Sequence, residues 1–197
     1  MRFVIALILL VLAGCDKESE PKGQAQPAST AKAGVPDTAE IALESANGMR
    51  ATLSYQFAGQ KAPSAPFADA QGQDVSLADF EGKPLLLNIW ATWCAPCKAE
   101  MPTLDALAAS EKGRMNVIAV SQDLEGRGPV VAFFKETAVK NLVPYTDADN
   151  ALLTAFNNAI ALPTTILYDS DGKEVWRVAG GVEWDDAEMA KLLRAAD

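Results

Sequence analysis

Apolar and polar positions follow two regular patterns along the chain from Pro63 onward. Two short apolar runs, Pro84–Trp90 and Met115–Ser121, have the length and composition of strands buried on both faces. Cys94–Ser110 and Pro129–Val139 have the composition of helices, and the proline that opens the second suits a first helical turn. The pattern predicts strands that alternate with helices, as in a βαβ unit.

The C-terminal part of the sequence predicts an antiparallel connection. Thr164–Tyr168 and Glu174–Ala179 are strand-like and are joined by a turn sequence at 169–172. Glu183–Ala196 is predicted as a final helix, and Phe67–Val75 as a small hairpin before the first buried strand. Together the elements predict an α/β fold, a three-layer α/β/α sandwich with a mixed central sheet and an N-terminal β-hairpin extension.

An export signal is predicted at the N-terminus. Residues 1–14 contain an 11-residue apolar run, Phe3–Ala13, which is too short to span a bilayer but suits a secretory signal peptide. The run leads into Leu12-Ala13-Gly14-Cys15, which resembles a bacterial lipobox. We therefore predict that Cys15 is lipidated and anchors the chain in a membrane. An ordinary signal peptide with a chance cysteine and an uncleaved anchor are the alternatives.

The sequence changes character twice between this signal and the folded domain. Residues 15–48 are predicted as a flexible tether, because Asp16–Glu40 contains no aromatic residue and a single large aliphatic one. Residues 49–62 are ambiguous, since their alternating apolar positions allow either a short strand or a docking arm. Residues 63–197 are predicted as the folded domain.

Charge and composition exclude several classes of function. The formal net charge is −9, with 17 Lys and Arg against 26 Asp and Glu, so no nucleic-acid partner is expected. The chain contains no histidine, which excludes Ser-His-Asp and Cys-His catalysis. Three cysteines without histidine supply too few ligands for a zinc site, so no metal or other cofactor is expected.

Cys94 and Cys97 form a Cys-x-x-Cys motif at the predicted start of a helix. At this spacing two cysteines can reach disulfide geometry, with Cα atoms about 5.5 Å apart. Cys94 lies at the helix N-terminus, where free N–H groups favour a thiolate, so we predict that it is the nucleophile and that Cys97 resolves the mixed disulfide. Such a motif near a βαβ pattern is typical of a thioredoxin-like redox site. A structural disulfide is the alternative.

The block Asn88–Pro102, NIWATWCAPCKAEMP, resembles the active-site block of the TlpA/ResA family of membrane-anchored thioredoxin-like proteins. The sequence at 162–165, LPTT, resembles the cis-proline loop of that family. The resemblance implies a cis Pro163 packed against the disulfide and a Leu162 backbone that contacts the substrate chain. Trp93 and Pro96 are also expected to contact the substrate.

The same resemblance implies a role for Glu100, which matches a carboxylate that tunes the cysteines in these reductases. Glu100 follows Cys97 by three residues, on the same side of the helix. Ordinary thioredoxins carry a buried aspartate six residues before the first cysteine, whereas Asn88 stands there in this chain and cannot accept a proton. We therefore expect Glu100 to assist proton transfer, with a solvated helix glutamate as the alternative.

These features predict an enzyme, an envelope thiol–disulfide oxidoreductase that reduces disulfides of exported proteins. The resemblance implies clients in cytochrome c or cytochrome oxidase copper-site assembly and a membrane electron donor for re-reduction. Asp16 resembles the signal that retains lipoproteins in the inner membrane of enteric bacteria. The chain is therefore expected to be lipid-anchored in the inner membrane, with its domain facing the periplasm or the cell exterior. A monomer is expected.

Two other functions are compatible with the motif. A peroxiredoxin-type peroxidase shares the fold but places Thr three residues before its attacking cysteine, where this chain has Ala91. A copper-binding chaperone could use Cys94 and Cys97, but the lack of histidine and of a Met-rich segment weighs against it.

Overall fold

The computed structural model describes residues 40–45, 48–157 and 160–194. Its strands are β1 Ile41–Glu44, β2 Arg50–Ser54, β3 Phe67–Ala68, β4 Asp74–Val75, β5 Leu85–Trp90, β6 Asn116–Ser121, β7 Pro144–Thr146, β8 Thr164–Tyr168 and β9 Glu174–Gly180. Within the described residues they form one nine-stranded sheet, in the order β1-β2-β9-β8-β5-β6-β7-β3-β4. β5 is parallel to β6 and antiparallel to β8, so the predicted mixed central sheet is confirmed.

Four α-helices and one short 3-10 helix accompany the sheet in the described part of the chain. They are the 3-10 helix Leu77–Phe80 and the helices α1 Ala95–Ser110, α2 Arg127–Glu136, α3 Ala151–Ala155 and α4 Ala187–Leu193. α1 connects β5 to the parallel strand β6, which makes the predicted βαβ unit. The final helix begins later than predicted, because the Asp186 side chain accepts the Glu188 N–H and so caps a helix that begins at Ala187. Its predicted end at Ala196 lies outside the described residues.

Alternation along β5 divides the interior into two cores. Leu86 and Trp90 belong to the core that also holds buried residues of α1, α2 and α4. Leu87 and Ile89 belong to the other core, with Leu152 of α3. Because side chains alternate in a strand, Asn88 lies on the same face as Leu86 and Trp90. A polar side chain is thereby placed on the face that carries α1.

The N-terminal edge of the sheet differs from the prediction. β1 lies inside the range 15–48 that was predicted as tether, and β2 lies in the ambiguous range 49–62. β2 pairs antiparallel with both β1 and β9, and its alternation buries Ala51 and Leu53 in the α1-side core. β2 is thus the short strand that was one of the two alternatives for 49–62. β1 is mostly exposed and carries too few apolar residues to stand out in the sequence, and its pairing with β2 is what stabilises it.

The predicted signal peptide at 1–14, the lipidation site Cys15 and the tether up to residue 39 lie outside the described residues. Within 40–45, 48–157 and 160–194, none of the helices has both the length and the apolar character needed to cross a bilayer.

Candidate active site

The two cysteines of the motif form a disulfide at the start of α1. Their Cα atoms are 5.3 Å apart, close to the separation expected from the spacing. Cys94 is the N-cap of the helix with an extended backbone, and its Sγ lies 3.3 Å from the N–H of Cys97. Cys97 is fully buried, whereas Cys94 keeps 6% of its surface accessible. Position and access both make Cys94 the sulfur that can meet a second molecule.

The loop between β5 and α1 is held by Asp123, which the sequence analysis did not single out. The Thr92 N–H donates to the Asp123 carboxylate at 2.9 Å and the Thr92 hydroxyl donates to it at 2.6 Å. The Ser121 hydroxyl donates to the same carboxylate, which is 2% exposed. We call the Thr92 and Asp123 contacts the Thr92–Asp123 clasp. Asp123 lies just after β6, and the ends of adjacent parallel strands meet at the same edge of a sheet. A carboxylate just after β6 is therefore the sequence feature that indicates this contact.

Glu100 lies in α1, three residues after Cys97, is fully buried and accepts two hydrogen bonds. The Asn88 amide donates to Oε1 at 2.7 Å, and the Val182 N–H donates to Oε2 at 3.1 Å. Burial raises the pKa of Glu100 from 4.5 to about 7, against the lowering effect of these two donors and of the Trp184 indole. A carboxyl with a pKa near 7 exchanges its proton readily at neutral pH.

Asn88 joins Glu100 to the strand that follows the cis-proline loop. Its amide nitrogen donates a second hydrogen bond, 2.9 Å long, to the hydroxyl of Thr165 in β8. Asn88 and Thr165 are both fully or almost fully buried, so these hydrogen bonds are shielded from water. The Asn88 side chain therefore acts as a donor to the carboxylate, and Thr165 is a supporting residue that sequence reasoning missed.

The loop before β8 lies next to the redox motif. The Leu162–Pro163 peptide bond is cis, Pro163 is buried and Leu162 is half-buried. The Pro163 carbonyl accepts the N–H of Gly180 at 2.8 Å. The next residue, Gly181, approaches the motif so closely that a Cβ there would lie 3.4 Å from the Pro96 carbonyl oxygen. Leu162, Pro163 and Pro96 are thus brought to one end of the sheet.

The two tryptophans near the motif have opposite environments. Trp90 is fully buried and packs against Phe133 and Phe134 of α2. Trp93 is 68% exposed, next to Cys94. Only Trp93 of the two can therefore contact a substrate. Across 40–45, 48–157 and 160–194, no three Cys, Asp or Glu side chains are grouped in a way that could hold a metal ion.

A helix-capping Cys-x-x-Cys disulfide on a mixed sheet, beside a cis-proline loop, defines a thioredoxin-like thiol–disulfide oxidoreductase. Residues 57–193 match the redoxin family, and the chain belongs to that family. The thiol–disulfide oxidoreductase ResA of Bacillus thuringiensis subsp. konkukian is 36% identical over 124 residues, which cover 62% of this chain and 69% of the relative. The resemblance of the active-site block and the predicted enzyme class are confirmed.

Solved structures agree with the fold. A candidate thiol:disulfide interchange protein DsbE of Chlorobium tepidum has a TM-score of 0.61 and 26% identity, over 71% of this chain and 98% of that one. The exposed lipoprotein thioredoxin of Streptococcus pneumoniae has a TM-score of 0.55 and 26% identity, over 66% of this chain and 96% of that one. The thioredoxin-like α/β fold predicted from the sequence is therefore confirmed.

Proposed function

We propose that this oxidoreductase works as a dithiol reductant of exported proteins, with Glu100 as the group that exchanges a proton with Cys97. The observation that carries the proposal is a fully buried carboxyl, one helical turn after Cys97, with a pKa of about 7. Such a group takes up a proton and releases it at neutral pH without a histidine, which the chain lacks.

The reaction begins with the Cys94 thiolate, which attacks one sulfur of the substrate disulfide and expels the other as a thiolate that takes up a proton. Cys97 then passes its proton to Glu100, and its sulfur attacks Cys94 Sγ. That step forms the Cys94–Cys97 disulfide and expels the second substrate sulfur, which is protonated in turn. Two electrons pass from Cys94 and Cys97 to the substrate, which leaves with two thiols. One of their protons is the Cys97 proton that Glu100 took up and releases again, and the other comes from solvent.

Substrate contacts are proposed around the exposed side of the disulfide. The backbone of Leu162, beside the buried Pro163, would pair with an extended substrate chain. The exposed Trp93 and Pro96 flank Cys94 in sequence and would cover the segment around the target cysteine. A backbone contact suits an enzyme that accepts many polypeptides, because it does not depend on side-chain identity.

Anchoring through a lipidated Cys15, with the domain on the outer side of the inner membrane, is proposed from the lipobox-like sequence. A structural relative of the domain is named as an exposed lipoprotein thioredoxin. Apocytochromes c or copper-site proteins of cytochrome oxidase assembly are proposed as clients, with a membrane protein as the electron donor. Mass spectrometry of the membrane fraction tests the anchor, since a diacylated Cys15 peptide is expected and a free Cys15 thiol would contradict it.

The proton-transfer role is tested with Glu100→Gln in stopped-flow measurements of disulfide exchange. We expect the rate of the Cys97 step to fall on the order of a hundredfold at neutral pH, because general acid–base groups contribute at least that much. The wild-type rate should rise through about pH 7 as Glu100 ionises, and the variant should lack this inflection. Glu136→Gln, at an exposed position of α2, is the matched control. Equal rates and pH profiles for wild type and Glu100→Gln would refute the role.

The direction of electron flow is tested by the reduction potential of the Cys94–Cys97 pair. A potential of about −270 mV would support a reductant. A potential of about −120 mV is that of a strong oxidant and would contradict the proposed direction. Cys97→Ser should trap client proteins as mixed disulfides with Cys94, and trapped cytochrome c or oxidase assembly proteins would support the proposed clients.

A further inference from the structure

Two large apolar side chains in the described residues are far more exposed than the others. Trp93 is 68% exposed and Leu124 is 69% exposed, whereas no other large apolar side chain in that part of the chain exceeds 43%. Single exposed apolar residues are normal on protein surfaces. Two of them side by side at a reactive sulfur form an exposed apolar patch, which is typical of a binding site. The relative position of Trp93 and Leu124 therefore decides whether they indicate one.

The register of the central parallel strands places Trp93 and Leu124 at the same level. Trp90 of β5 is the register partner of Ser121 in β6. The N–H of Gln122 then donates to the Trp90 carbonyl at 2.8 Å, and Thr92 donates twice to Asp123. Hydrogen bonds therefore still join the two segments at Thr92 and Asp123, two residues beyond the ends of β5 and β6. The next residue of each chain is Trp93 and Leu124.

The Thr92–Asp123 clasp also makes this arrangement rigid. The Asp123 carboxylate accepts bonds from one backbone N–H and two hydroxyls while buried. A buried carboxylate with this many donors is costly to release, because its charge would then lack partners. The backbone next to Trp93 and Leu124 is thus fixed before any partner arrives, which lowers the entropy cost of binding.

We propose that Trp93 and Leu124 form one apolar binding surface, the apolar lip, which holds an apolar side chain flanking the target cysteine of a disulfide-bonded polypeptide. The inference rests on the proposed function, because it assigns a substrate class to the same Cys94 site. A polypeptide is favoured over a small disulfide such as oxidised glutathione, since Trp93 and Leu124 are both apolar and Leu124 lies on a separate loop from Cys94. The surface adjoins the attacking sulfur directly through Trp93.

The test compares three disulfides as substrates of the full-length enzyme. They are a peptide with a disulfide flanked by Leu and Phe, the same peptide with Ser at those positions, and oxidised glutathione. For Leu124→Ser we expect kcat/KM with the apolar peptide to fall about fivefold, through a higher KM, because part of a leucine's burial is lost. Rates with the serine peptide and with glutathione should stay within about twofold, since those substrates leave the lip empty.

Two further variants separate recognition from a general effect on the surface. Leu124→Met keeps an apolar side chain and should retain the preference for the apolar peptide. Val143→Ser changes an apolar residue that is 40% exposed before β7 and should leave all three rates unchanged. An unchanged peptide preference in Leu124→Ser, or an equal loss with all three substrates, would overturn the apolar lip while leaving the proposed function intact. A wild-type enzyme that reduces neither peptide would overturn both.

Discussion

The buried carboxyl of Glu100 should make the stability of the oxidised protein depend on pH in a way that one substitution removes. Glu100 is fully buried, and its hydrogen-bond donors, such as Asn88 and Val182, do not offset the cost of burying its charge. In the unfolded chain the same carboxyl is solvated, with a pKa near 4.5. The folded state therefore binds this proton more tightly than the unfolded state does.

The sign and size of the effect follow from the two pKa values. Below about pH 4.5 Glu100 is protonated in both the folded and the unfolded state, so no buried charge lowers the stability. Above about pH 7 Glu100 is ionised in both states, and the folded state carries the cost of burying that charge. Raising the pKa from 4.5 to about 7 corresponds to about 3 kcal/mol, because one pKa unit equals about 1.4 kcal/mol. Stability should thus fall by that amount as pH rises through this window.

Urea unfolding of wild type and Glu100→Gln, with the disulfide intact, measures the effect between about pH 4.5 and 8. The difference in unfolding free energy, wild type minus variant, should decrease by about 3 kcal/mol across the range. Other buried carboxyls such as Asp147 are common to both proteins and cancel in the difference. Glu136→Gln, on the exposed face of α2, should run parallel to wild type. Parallel curves for Glu100→Gln as well would refute the assigned burial and pKa.

Three further predictions concern stability and are checked by urea unfolding at neutral pH. Asp105→Ala should lower the free energy of unfolding by about 2 kcal/mol, because the Asp105 carboxylate accepts three backbone N–H groups before β7. The loss should be smaller in acid, since these hydrogen bonds together outweigh burial and lower the Asp105 pKa. Glu174→Ala should lower the free energy of unfolding by about 3 kcal/mol, because the Arg177 side chain, only 14% exposed, loses its carboxylate partner. A smaller loss in the double variant Glu174→Ala/Arg177→Met would support that cause. Gly180→Ala should cost about 2 kcal/mol or more, because φ is +106° and a Cβ would lie 2.4 Å from a β2 carbonyl, whereas Gly128→Ala, which has open space, should not destabilise.

Local sequence patterns were sufficient to predict the place of the redox motif at a helix N-terminus and the position of Glu100 relative to it. A Cys-x-x-Cys between a strand-like run and a helix-like run predicts that Cys94 lies at a helix N-terminus, and the structure has it as the N-cap of α1. The position of Glu100 relative to Cys97 also follows from helical periodicity. These features are set by residues within one turn of each other, which is why sequence reasoning reached them.

The partners of Glu100 could not be predicted in the same way. Val182 is 82 residues away in sequence, and the hydrogen bond from Asn88 to Thr165 spans 77 residues. Which strand lies next to β5, and in which register, decides these contacts, and no local pattern encodes either. The Asp123 carboxylate was nearer to being predictable, since it follows a strand whose parallel neighbour ends at Trp90, two residues before Thr92. The pairing itself still had to be known first.

The docking of β2 on β9 has a practical consequence for any shortened form of the enzyme. A chain that begins at residue 63, where the regular sequence pattern begins, would lose Leu53 from the core. It would also remove β2 from the edge of β9, where β2 pairs with Arg177–Gly180. A bare edge strand of that kind recruits strands from other molecules and promotes aggregation. For expression of the catalytic part alone, the start of β1 at Ile41 is therefore the boundary to keep.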